Sequence, residues 1–310
     1  MYRTWRGHGD RVLAKLTPMN RTIAPIEWQE AQVAHRKRAS ALTIGRRARK
    51  QIGERDPIDD FMFEYYPYTP TKLETWFPGV GTTLEIGPQH DFDFPNYRSL
   101  GTHCELDPEY VVKHRIRVDT TLELLRNTHL RDGTFNCFGL HEWAMVYQAD
   151  QRDIRHVDPL RVTQEQIDSL VVDAGLRCTH IDAFRFFTEG AAPQNVNRLN
   201  IVPTRANQKD LEQPGCLHAN MDLYKHCMWF QPMIPGDLVL DCFELARAAR
   251  TLDMQASPYD LIRYGYEPIN VEHSTGRAIY VARQRHVSEQ SHGLRARLIT
   301  VLEAAVVTAR

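Results

Sequence analysis

The sequence predicts an α+β fold: a mainly α-helical single core with a small β-sheet and a basic N-terminal helical arm. Three observations carry that expectation. Apolar residues recur at three- and four-residue spacing in several segments, β-type runs are few and short, and positions 1 to 50 hold twelve basic residues against three acidic ones. At 310 residues, with 42% apolar and 25% charged side chains, the chain can bury a sizeable core. No internal repeat or low-complexity linker is visible, so the expected division is an arm at 1–55 and one domain at 56–310.

Residues 27–51 have no Gly or Pro before Gly45 and are rich in Ala, Arg, Gln and Leu, which predicts one long polar helix. Arg36, Lys37, Arg38, Arg46, Arg47, Arg49 and Lys50 on it are candidate contacts to a nucleic-acid backbone, because phosphate neutralisation supplies most non-specific binding. A solvated helix face is the alternative. The run from Asp59 to Tyr68 sets aromatics beside acids, suits a pocket wall, and is closed by prolines that stop a helix. Short strands are expected at Thr82–Gly87, Ala183–Thr188, Ile269–His273 and Ala278–Arg283. Helices are expected at Thr121–Thr128, Thr163–Ala174, Asp237–Leu252 and Leu294–Thr308.

Some classes are disfavoured. No stretch reaches the roughly 18 apolar residues of a membrane span and no secretory h-region opens the chain, so a cytoplasmic protein with no membrane partner is expected. The six cysteines lack the dense spacing of a disulfide scaffold and read as thiols. Three Cys/His pairs (Cys137 and His141, Cys178 and His180, Cys216 and His218) raise a metal, but structural zinc spacings are absent, so no metal or other cofactor is expected.

Four segments concentrate ionisable and aromatic groups: 137–147, 178–187, 213–225 and 253–260. Burying such groups costs several kcal/mol unless they are paired, which directs attention to function. If the chain from His218 is helical, Asp222 and Lys225 follow one turn apart on nearly one face, an acid-base unit or else an ordinary ion pair. On a strand, His180 and Asp182 would share a side with Phe184, fit for acid-base chemistry on a stacked ring. Glu142, between His141 and Trp143, is a third carboxylate whose aromatic setting suits a general acid.

The phrases CFGLHEWAMVY (137–147), HIDAFRFFT (180–188), QPGCLHANMDLYK (213–225) and DMQASPYDL (253–261) resemble a bacterial family labelled 3-methyladenine DNA glycosylase-like, over about Asp59 to Arg297. That family includes anti-phage glycosylases that remove glucosylated hydroxymethylcytosine from viral DNA. The resemblance implies a hydrolase that cleaves the N-glycosidic bond of a modified base in DNA and leaves an abasic site, for antiviral defence or repair. The alternative is an N-glycosidase acting on a free nucleoside or nucleotide.

Such chemistry needs a carboxylate near C1′ to stabilise an oxocarbenium-like state, a partner for the departing base, and aromatics to stack it once flipped out. Asp222 is the first candidate for the carboxylate and Asp182 the second. His180, His218 or Glu142 could protonate the base, and Lys225 could attack C1′ instead. Asn220, Tyr224, Phe184, Phe186, Trp143, Tyr65, Tyr66 and His141 are the candidate base-binding residues. Replacing Asp222 with Asn is expected to abolish base release while leaving DNA binding intact, and release retained by the variant would remove that role.

Overall fold

A computed structural model of the chain describes residues 21–66, 68–86, 94–150 and 157–309. Arg3, Arg6, Arg11 and Lys15 of the arm, Pro67 of the aromatic run and Gly87 at the end of the first expected strand lie outside the described residues. In chain order the helices are α1 (Pro25–Ile52), α2 (Phe61–Glu64), α3 (Pro70–Leu73), α4 (Pro108–Leu130), α5 (Leu140–Ala144), α6 (Gln164–Ala174), α7 (Ile181–Phe184), α8 (Gln208–Leu211), α9 (Leu217–Trp229), α10 (Gly236–Gln255) and α11 (Ser274–Thr308). The strands are β1 (Arg21–Ile23), β2 (Thr82–Glu85), β3 (Tyr97–Ser99) and β4 (His103–Leu106). The fold is mainly α with a minor sheet, as the periodicity predicts.

Local chemistry sets the helix ends. Pro25 opens α1, where its missing N–H costs nothing, and Gly53 closes it at φ 72°, a left-handed cap. The Asp107 carboxylate accepts from the Glu109 amide before Pro108 opens α4. Thr163 and Gln166 form a reciprocal capping box that starts α6 within one residue of the expected boundary.

The sheet runs in the order β1, β2, β4, β3, with β1 parallel to β2 and the other pairs antiparallel. Leu84 pairs with Cys104, and both join Ile23, Trp28 and Trp76 in a small cluster separate from the main core. The main core centres on α9, which packs against α10 and α11. Leu217, Met221, Leu223, Tyr224, Cys227 and Met228 of α9 are all buried, as are its polar Asn220, Asp222 and His226. A helix enclosed over most of its surface must satisfy its buried polar groups within the protein. Arg295 of α11, wholly buried, donates to Asn220 Oδ1 at 2.7 Å and so fastens α11 to α9.

Three of the four expected strands are not strands. Residues 181–184 form α7, 269–273 are irregular, and 278–283 lie within α11. In the last case Tyr280 is wholly buried, so packing on one helical face overrides the β-type run Ile279-Tyr280-Val281. Helix α1 buries Trp28, His35, Ala39 and Thr43 and packs on α10 and α3, so it is docked on the body over its length. All six cysteines are free, and no described helix is long and apolar enough to cross a membrane.

Helix α11 contains two glycines of opposite character. A Cβ on Gly276 would sit 2.0 Å from the Asn270 carbonyl oxygen, whereas Gly293 has nothing within 4 Å and is exposed. Gly276→Ala should therefore destabilise the fold by about 1–3 kcal/mol, and Gly293→Ala should stabilise it by up to about 1 kcal/mol. Paired thermal melts check this, and a Gly276→Ala protein that melts with the wild type would contradict the close approach.

Candidate active site

Two sets of charged side chains meet behind the N-terminal half of α9. The first forms around Asp222 and Asp182. Asp222, 2% exposed, contacts the Lys225 ammonium one turn along α9, approaches His180 Nε2 at 3.4 Å, and is 3.5 Å from the Tyr66 hydroxyl. Asp182, 4% exposed, stands in the first turn of α7, where the Arg205 guanidinium contacts it and Lys225 Nζ lies 3.6 Å away. His180, wholly buried as the residue before α7, has its Nε2 3.0 Å from Glu212 Oε1. Glu212 is itself buried and accepts from Gln208.

Burial alone would lower His180, but Glu212 and Asp222 together raise it from 6.5 to about 9. The Asp182 amide points its N–H at His180 Nδ1 at 3.2 Å, which favours the neutral ring. Burial would raise Asp222, yet Lys225 and then His180 hold it well below the usual carboxylate range. Glu212 is likewise held down by His180 against its burial.

The second set joins α5, α9 and α10. Arg250 Nη1 binds Glu142 Oε1 at 2.7 Å and Asp253 Oδ2 at 2.9 Å, and all three residues are at most 3% exposed. His141 Nε2 lies 2.9 Å from Asp253 Oδ1. Burial would lower His141, but Asp253 raises it. His218 stands between the sets, with ring centroids 4.6 Å from His141 and 5.5 Å from His180; burial, then His141, push it well below its ordinary value.

A cavity of about 190 Å3 opens beside both sets, lined by Phe61, Tyr65, Met145, Phe186 and Tyr259 on its apolar side and by Asp182, Glu142, Arg250 and His218 on its polar side. Phe61 and Tyr65 stack nearly parallel at 4.9 Å. On the other side of Asp182, its cationic partners Arg205 and Lys225 line a wider groove of about 810 Å3. Lys113 and Arg117 of α4, Lys209, and the part-exposed Trp229 share that groove, with Arg117 and Lys225 each 5.4 Å from the Trp229 ring centre.

The structure brings Asp222, Asp182, His218, His180, Glu142 and Lys225 into one region, although His180 and Asp182 meet at the start of a helix instead of along a strand. It separates the expected base-binding residues. Tyr65 and Phe186 line the cavity. Tyr66 is buried behind it on Asp222, and Tyr224 is wholly buried against Tyr66, Tyr68 and Phe243. Trp143 is core, its indole N–H donating to the Ala256 carbonyl at 2.8 Å. Asn220 cannot read a base edge, because its amide donates to the Pro214 carbonyl and accepts from Arg295. Phe184 packs on Phe187 outside the cavity, and His141 faces Asp253.

The expected backbone contacts on α1 need a similar correction. Arg38 binds Asp241 and Glu244, Arg46 and Arg49 bind Asp60, and Arg47 binds Glu74. Those pairs neutralise most of the helix's positive charge on the protein itself. Arg36, Lys37 and Lys50 are exposed and make no ion pair with a described residue. The cationic surface that adjoins the carboxylates is instead the groove on α4 and α9. Sequence reasoning gave no role to Glu212, Arg205, Arg250, Asp253, Phe61 or Tyr259. Of these, Phe61, Asp253 and Tyr259 sit in segments already marked by their composition, whereas Arg205 carried no local signal.

No family model, curated protein or solved structure that was compared matches this chain, so the residues themselves carry the functional reading.

The His180 pairing implies a pH dependence. A histidine raised from 6.5 to about 9 on folding contributes stability that is complete below pH 6.5 and is lost as pH rises through about 9. Glu212 and Asp222, held low, act at the other end and lose their contribution only in acid. The melting temperature should fall between pH 6.5 and 9, and His180→Gln should flatten that fall. An equal slope in the variant would show that the proton resides elsewhere.

Proposed function

We propose that this chain is a hydrolase that cleaves the N-glycosidic bond of a modified base in DNA, leaving an abasic site. One observation carries the reading: Asp182 faces a ring-sized aromatic cavity, while the two cations that hold it line a basic groove. At about 190 Å3 the cavity falls below the roughly 300–1,000 Å3 of sites for drug-sized ligands, so it suits one heterocycle and not a whole nucleotide. The sugar and phosphates of that nucleotide would then lie outside, toward the groove.

In this reading the base leaves the stack and inserts beside Tyr65, Phe61 and Phe186, which supply π-faces for any heterocycle. Arg250 and Glu142 present donor and acceptor groups to its polar edge. Asp182 stands at the sugar side, where its charge stabilises the positive character that develops at C1′ as the bond to the base breaks. Arg205 and Lys225 pair with Asp182, and Asp222 anchors Lys225 from behind. This arrangement gives Asp182 the role at the sugar and makes Asp222 a positioning residue. Water attacks C1′, and the base leaves with a proton.

The groove favours a strand over a free nucleoside. Lys113 and Arg117 lie exposed on α4, and Trp229 offers a partly open ring between two cations.

The test is an oligonucleotide carrying a modified base, either 3-methyladenine or glucosylated hydroxymethylcytosine, with released base read by mass spectrometry and abasic sites by alkaline cleavage. Asp182→Asn should slow release by about 10²–10³-fold with strand binding retained. Lys113→Ala with Arg117→Ala should weaken binding to all sequences and make it less sensitive to salt, by about one counterion for each cation removed. Release undiminished in Asp182→Asn would refute the mechanism, and cleavage of free nucleosides with unmodified strands ignored would favour the small-molecule reading.

A further inference from the structure

We propose that His141, His218 and Asp253 form a binding site for one divalent transition-metal ion, with zinc the best fit. The donor atoms come from α5, α9 and α10 and lie within 4.8 Å of one another. Two imidazoles and one carboxylate form the three-ligand set by which proteins hold zinc while leaving a position open. The proposal concerns a site adjoining the carboxylates described above and does not depend on the reaction assigned to them.

Two atoms of the set are left without a hydrogen bond, which such an ion would relieve. His141 Nε2 and Asp253 Oδ1 are buried and 2.9 Å apart, yet neither makes a hydrogen bond, because their contact lacks the alignment of one. Leaving a buried polar atom in that state costs about 1–3 kcal/mol, and a cation shared by both lone pairs removes the cost for each. The other Asp253 oxygen is already fixed by Arg250 Nη1 at 2.9 Å, the kind of outer partner that orients a metal-binding carboxylate.

Charge separates this group from its neighbour. His180, Asp182 and Asp222 are equally close together, but Lys225 and Arg205 already occupy their oxygens. Counting Asp182, Asp222 and Glu212 against Lys225, Arg205 and protonated His180, that neighbour is neutral. At the proposed site Asp253 Oδ1 has only His141 beside it, and once His141 is a neutral ligand Asp253 and Glu142 face the single Arg250 guanidinium, which accommodates a further cation. Both imidazoles must be unprotonated to bind the ion, so acidification should weaken binding.

The space for a further ligand is present. His141 and His218 also border a cavity of about 30 Å3 whose wall includes the thiols Cys137, Cys178 and Cys216. That is the volume of one water molecule, enough for a bound water to complete a four-coordinate ion. The three cysteines of the sequence's Cys/His pairs thus meet His141 and His218 around one small chamber.

The test strips the full chain with a chelator and titrates it with Zn(II) and, in parallel, with Co(II), whose visible absorption reports coordination. One equivalent should bind, the cobalt spectrum should be that of a four- or five-coordinate ion, and zinc should raise the melting temperature. Asp253→Asn and His218→Gln, each confirmed as folded by circular dichroism, should weaken binding by more than the roughly 10- to 100-fold that removing an outer partner costs. Uptake below one equivalent overturns the proposal. So does binding that both variants retain, or binding abolished instead in Asp182→Asn, which would assign the ion to the neighbouring group. Should either variant fail to fold, the cobalt spectrum of the wild type alone decides, since absorption of a six-coordinate aquo ion would exclude the site.

Discussion

Helix α9 imposes the constraint on which the rest of the structure depends. Nearly all of its surface is enclosed, yet it carries His218, Asn220, Asp222, Lys225 and His226. An isolated charge in such surroundings costs several kcal/mol, so partners must be supplied by whatever packs against it. The loop before α7 brings His180, the segment after α8 brings Glu212, α11 brings Arg295, and Lys225 comes from α9 itself. The loops on the N-terminal side of the core are arranged to complete this set, and the cavity and groove lie on either side of it.

The helices were legible where the local signals agreed. Thr163 to Ala174 combines a cap, a matching glutamine and an apolar stripe, and α10 has an equally regular pattern. Short apolar runs were not legible, because four to six β-branched or aromatic residues suit a strand and a buried helical turn alike. Ile279, Tyr280 and Val281 became helical since one face of α11 buries Tyr280, a contact that depends on residues far away in the chain. The loop at 269–273 was misread for the same reason, its Ile269 and Val271 being buried without strand pairing.

The site was partly legible. Composition marked the segments that hold Asp182, His180, His218, Asp222 and Lys225, because buried ionisable residues cluster where they are paired or used. Their partners were not visible. Glu212, Arg205 and Arg250 meet them only through the tertiary fold, and the same blindness hid the acids at 60, 74, 241 and 244 that pair with arginines of α1. Asn220 illustrates the point at one residue: its amide has the chemistry to read a base, but a buried arginine 75 positions away uses it.

Because Asp222 and Lys225, which hold the charged set together, belong to an enclosed helix, they share the cooperativity of the whole core. Many enzymes mount such groups on loops that loosen before the scaffold melts, and so lose activity in advance of structure. Opening α9 exposes Leu217, Met221 and Tyr224 as well as Asp222. The charged set around Asp222 and the fold should therefore be lost together on heating or in denaturant, as one transition, and substitutions on α9 are confined to changes that the interior can also accept.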